Sequence, residues 1–196
     1  MDYTISKTKR NIIIFSAVFL MLKAIILALV FQSLEPAKPD LVLRVIGQFL
    51  QIVVYGYILI MLFGYFKQYE LKVLQMITLS ILALEIAGSV IQLFSSITGN
   101  NVPNHVNLVT TIIWSLAMFI WIIFLFRVPA ADFPALISIR KYAVSIFAIV
   151  ILGAIIPNLI NQITNNKQYF ELLAAIILVI PYVFIVEFAM KLKLKV

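Results

Sequence analysis

The chain alternates long apolar runs with short polar breaks. Six runs are at least as long as the roughly 20 residues that an α-helix needs to cross a hydrocarbon core. Each is continuously apolar and about twice the length of a β-barrel strand, which excludes a barrel. The pattern predicts an all-α membrane protein, a bundle of six transmembrane helices forming one domain over residues 1–196. The predicted spans are about 11–33, 41–66, 72–97, 106–127, 141–163 and 168–190.

Composition agrees with this pattern and narrows the chemistry. Hydrophobic residues make up 64% of the 196 residues and charged residues 12%, against about a quarter charged in a soluble domain. The chain has no cysteine, which excludes disulfides, thiolate metal sites and cysteine nucleophiles. Because nucleotide-binding, zinc-protease and serine-hydrolase motifs are absent, we expect no catalytic residue, metal or cofactor. Intramembrane chemistry at Glu85 or Asp132 is the remaining enzymatic alternative.

The distribution of positive charge predicts the orientation. The formal net charge is +7, but the Lys and Arg residues beside the spans lie mostly on one side. The positive-inside rule places that side, with both termini, in the cytoplasm. We therefore expect a bacterial cytoplasmic (inner) membrane protein, with the lipid bilayer as its partner and no nucleic acid. The cytoplasmic group is Lys7, Lys9, Arg10, Lys67, Lys72, Arg127, Arg140, Lys141, Lys191, Lys193 and Lys195, and the outer group is Lys38, Arg44 and Lys167.

Two ionisable residues fall at mid-membrane. Lys23 lies near the middle of the first span and Glu85 near the middle of the third. A charge at that depth costs about 2.5–3.5 kcal/mol on insertion scales, and pairing lowers the cost. We predict a Lys23–Glu85 ion pair. It is either a structural clamp between helices or part of a site for an ion, proton or substrate.

Polar residues are concentrated in the predicted outer half of the bundle. On the third span, polar side chains recur at helical period through Glu85, Ser89 and Gln92, which places them on one face. These residues predict an outward-facing polar vestibule above the Lys23–Glu85 pair, although helices also become polar simply where they approach the interface. The candidate substrate-binding residues are Lys23, Glu85, Gln48, Gln51, Gln92, Asn158 and Asn161.

Two classes of function remain open. In the first, a small solute or ion enters the vestibule from outside, and the protein binds or transports it. In the second, the protein is a non-catalytic accessory, assembly or immunity subunit that binds a membrane protein partner. The single histidine, His105, lies in an outer loop with no second histidine to share a metal.

Overall fold

The computed structural model of the protein describes residues 4–33, 41–98, 103–133, 135–163 and 167–194. The side chains of residues 27–44, 96, 104, 107, 132 and 152–176 are not among those described. Within these ranges the chain forms six α-helices, one 3-10 turn and a pair of two-residue strands. The helices are α1 (Lys7–Ser33), α2 (Leu41–Gln68), α3 (Lys72–Thr98), α4 (Asn104–Arg127), α5 (Leu136–Ile163) and α6 (Lys167–Lys191), and β1 (Thr4–Ile5) pairs with β2 (Lys193–Leu194).

Each predicted span lies inside one of these helices, so the all-α fold class is confirmed. In the described part of the chain, three helical segments are long and apolar enough to cross a membrane. This supports a transmembrane protein, whereas six spans, cytoplasmic termini and a single domain stay predictions. The three segments are Val45–Gln68, Lys72–Ser95 and Leu108–Arg127.

The turn between α2 and α3 uses an unusual backbone conformation. Glu70 has φ 56°, a left-handed value that favours glycine. The amide of Leu71 donates to the carbonyl of Phe66 at 3.0 Å, and that of Glu70 donates to Lys67 at 3.2 Å. This is the Schellman pattern, which satisfies carbonyl groups at the end of a helix. The turn therefore ends α2 with its last carbonyls bonded.

The fifth helix begins earlier than its apolar span. A 3-10 turn, Ala130–Asp132, comes first, with Phe133 N–H donating to the Ala130 carbonyl at 3.2 Å. Leu136 then starts α5, so the helix includes the polar residues that precede residue 141. Apolar content marks only the part suited to hydrocarbon, and a helix continues beyond it wherever its backbone bonds are satisfied.

Packing divides the chain into two compact units. The first contains α2, α3 and α4, and α3 packs against both neighbours. Its core includes an edge-to-face aromatic cluster, in which the Phe66 ring lies 5.8 Å from Tyr65 and 6.3 Å from Trp121, measured between centroids. All three side chains are buried. Such pairs add about 0.5–1.5 kcal/mol each beyond the burial of their area.

The second unit contains α1, α5 and α6, and α6 packs against both of the other helices. Apolar residues such as Ile13, Ile139 and Ile185 are fully buried in it. At one end, Lys191 of α6 donates to Glu187 at 2.6 Å and to Ser138 of α5 at 3.1 Å. This polar cluster links the ends of α5 and α6.

Candidate functional site

Glu85 is the ionisable residue around which the candidate site is built. It lies near the middle of α3, half-buried, and its Oε1 accepts a hydrogen bond of 2.7 Å from Nε1 of Trp114 on α4. This length is at the short end for an N–H donor and an oxygen acceptor. The bond satisfies the only polar atom of the indole and stabilises the carboxyl group far from either end of the helix.

On its other side, Glu85 lines a small cavity between α2 and α3. The volume of this cavity is about 10 Å³, which is roughly the lower limit for one water molecule. Gly56 also lines the cavity, and a Cβ at that position would make an ordinary van der Waals contact with Cδ1 of Leu82 at 3.6 Å. The polar residues of the lining are Gln51, Tyr55, Glu85 and Ser89.

The lining offers oxygen atoms of three kinds: a carboxyl group, hydroxyl groups and an amide carbonyl. Oxygen ligands suit hard cations, and the same groups hydrogen-bond to water. Among the described residues, no group of three or more His, Cys, Asp or Glu side chains is placed to hold a metal ion. One carboxyl group with neutral oxygens matches a proton, a hydronium ion or a monovalent cation better than a divalent metal.

The structure brings together some of the predicted site residues. Gln51 and Glu85 line the same cavity. The half-buried Gln48 and the exposed Gln92 are not in the described lining, although helical spacing places them near it. The role of Gln48 and Gln92 in a binding site therefore stays a prediction.

The remaining predicted site residues lie elsewhere. Lys23 is half-buried on α1 in the second unit, whereas Glu85 belongs to the first unit. Their ion pair therefore stays a prediction. Asn158 and Asn161 belong to α5, and their side chains lie outside the described residues. The vestibule as a whole likewise stays a prediction.

Sequence reasoning did not predict the contact between Trp114 and Glu85. An available signal was depth, since Glu85 and Trp114 both lie near the middle of consecutive antiparallel helices. The hydroxyl of Thr78, two turns before Glu85 on α3, donates instead to the Leu74 carbonyl of its own helix at 2.7 Å. That bond satisfies a buried hydroxyl without a partner helix.

Comparison of the chain with protein-family models, with curated proteins and with solved structures finds no match.

Proposed function

We propose that this protein binds a small cation or a proton at Glu85 and carries it across a membrane. The observation that carries the proposal is the cavity of about 10 Å³ beside Glu85, lined by a carboxyl group and neutral oxygens. Its size favours an ion or a single water molecule over a larger solute. An ionisable residue at mid-membrane is by default a candidate for such a pathway.

The proposal includes six spans, with both termini in the cytoplasm of a bacterial inner membrane. The helices are 24 to 28 residues long, which corresponds to about 36–42 Å at 1.5 Å per residue. This exceeds the roughly 30 Å of hydrocarbon. The surplus of Lys and Arg on one side supports the orientation, and many exposed apolar side chains, such as Phe15, Phe49 and Phe94, suit contact with lipid.

In this proposal, the ion competes with the Trp114 indole for the Glu85 carboxyl group. Trp114 donates to the Glu85 carboxyl group when the cavity holds no ion. A cation arriving in the cavity meets Glu85 together with oxygens of Gln51, Tyr55 and Ser89. The cation weakens the hydrogen bond from Trp114 to Glu85, because a carboxylate oxygen that binds the cation is a poorer acceptor. Entry is from the outer side, through the predicted vestibule.

A second candidate is a non-catalytic subunit of a larger membrane complex. Gln92 favours it, because this amide side chain is exposed on α3 and follows the exposed apolar residue Ile91. Polar side chains among apolar ones often stabilise contacts between membrane helices. In this candidate, the Trp114–Glu85 bond and the predicted Lys23–Glu85 pair serve only to fix the helices.

Reconstitution into proteoliposomes tests the first candidate. A proton gradient or a sodium or potassium gradient is imposed, and a trapped indicator dye follows its decay. We expect the gradient to decay faster than in empty liposomes and the Glu85→Gln variant to decay no faster than empty liposomes. Gly56→Ala should reduce the rate, because its added methyl group lies in the lining of the cavity, against Leu82. Gly47→Ala is the matched control, since it lies on the same helix with no atom within 4 Å of the new Cβ.

A decay rate equal to that of empty liposomes for all three cations would contradict ion transport, as would full activity of Glu85→Gln. The second candidate predicts a different result. Glu85→Gln would then lower thermal stability, and replacing Lys23 and Glu85 together by apolar residues would restore it, because a buried ion pair can be exchanged for apolar packing.

A further inference from the structure

A second cavity lies at the end of the first unit where α2 turns into α3 and where α4 ends. It is an open cleft formed by the α2–α3 turn and by the end of α4. Its volume is about 360 Å³. That volume is within the range of roughly 300–1,000 Å³ found for small-molecule sites. It shares no lining residue with the cavity beside Glu85.

The cleft carries two cationic side chains. Lys72, the first residue of α3, and Arg127, the last residue of α4, both line it and are exposed. Within the described part of the chain, neither forms an ion pair. The Arg127 guanidinium lies 5.3 Å from the centroid of the Phe124 ring, an arrangement that orients it and leaves its N–H groups available. Glu70 also lines the cleft, so the three charged side chains together give the cleft a formal charge of +1.

The rest of the lining is apolar: Leu71, Val73, Leu74, Phe124 and Val128. Exposed apolar side chains continue from it along α3 and α4, including Met76 and Ile120. A ligand that fits this surface has an anionic end for Lys72 and Arg127 and apolar chains for the helix faces. The N–H groups of arginine and the ammonium of lysine are suited to phosphate oxygens.

We propose that this cleft binds the phosphate of an anionic phospholipid, with the acyl chains lying along α3 and α4. Basic pockets between membrane helices on the cytoplasmic side are known to suit anionic headgroups. Lys72 and Arg127 both belong to the group that the charge distribution places in the cytoplasm. The proposal does not depend on ion transport at Glu85, because the lipid site can exist in either candidate function.

Native mass spectrometry of the purified full-length protein tests this proposal. The protein in detergent is titrated with phosphatidylglycerol, with phosphatidylcholine of the same acyl chains, and with free glycerol phosphate. We expect phosphatidylglycerol to bind most tightly. Lys72→Gln and Arg127→Gln should each weaken its binding about fivefold, whereas Glu70→Gln should strengthen it by a similar factor. Lys67→Gln is the matched control, because Lys67 is a cation in the last turn of α2 that does not line the cleft.

Three outcomes would overturn the proposal. The first is equal binding of the two lipids, and the second is binding of free glycerol phosphate as tight as that of the lipid. The third is phosphatidylglycerol binding unchanged in both cation variants and in Glu70→Gln. Because Glu70→Gln should increase binding, misfolding of a variant cannot imitate the complete expected pattern.

Discussion

The hydrogen bond between Trp114 and Glu85 predicts a measurable energetic coupling between α3 and α4. Trp114→Phe removes the indole N–H and keeps an aromatic ring, while Glu85→Met removes the acceptor and keeps a side chain of similar length. A bond to a charged group contributes about 1.5–3 kcal/mol in soluble proteins. In a membrane protein, such couplings average about 0.6 and reach about 1.7 kcal/mol. Because this bond is 2.7 Å long and half-buried, we expect about 1–1.7 kcal/mol.

A double-mutant cycle measures this coupling. The protein, the two single variants and the double variant are unfolded with increasing SDS in mild-detergent micelles, and circular dichroism follows the loss of helix. Each single change should destabilise the protein, since it leaves one partially buried polar group unbonded, while the second change should cost less than the first. Strict additivity, with a coupling below about 0.5 kcal/mol, would refute the reasoning, because independent sites add within that error.

Three further predictions follow from other parts of the chain. Trp121→Phe should lower the unfolding free energy by less than about 2 kcal/mol in thermal or SDS unfolding. Nε1 of the buried Trp121 has no described hydrogen-bond partner, so removing it offsets part of the lost packing. A loss above about 3 kcal/mol would contradict this. Glu70→Gly should raise the unfolding free energy by about 1 kcal/mol, because Glu70 has φ 56°, a left-handed value that strains a residue with a Cβ but not glycine. A lowered unfolding free energy would contradict this strain. In the cysteine-free chain, a cysteine at Lys193 should react with an impermeant maleimide only after the membrane is opened, whereas one at His105 should react in intact cells; the reverse pattern would overturn the orientation.

The helices could be predicted from the sequence, because each is marked by a continuous run of apolar residues along the chain. A run of apolar residues must be helical in lipid, where every backbone polar group needs an internal partner. Pro103, which cannot donate a backbone hydrogen bond, stands directly before α4. Leu136 was missed as the start of α5, because polar residues in its first turns do not distinguish a loop from a helix that extends beyond the apolar span.

The site was less predictable, because side chains meet according to the rotation and crossing of whole helices. Period alone places Glu85, Ser89 and Gln92 on one side of α3. It does not say which neighbouring helix lies beside each turn, and the cavity against α2 includes Ser89 but not Gln92 among its described lining residues. For the same reason, the similar depth of Glu85 and Trp114 permits a contact between them but does not establish which way either side chain faces.

The emission of Trp114 tests the central claim most directly. The chain has two tryptophans, so Trp121→Phe leaves Trp114 as the sole tryptophan, hydrogen-bonded to the proposed ion-binding carboxyl group. Its emission is recorded while pH, sodium or potassium is varied, with choline as the inert cation. We predict a saturable change with protons or with one of the two cations, and its absence when Glu85→Gln is added. Emission that stays constant under all three titrations, or that changes equally in the Glu85→Gln variant, would contradict ion binding at Glu85.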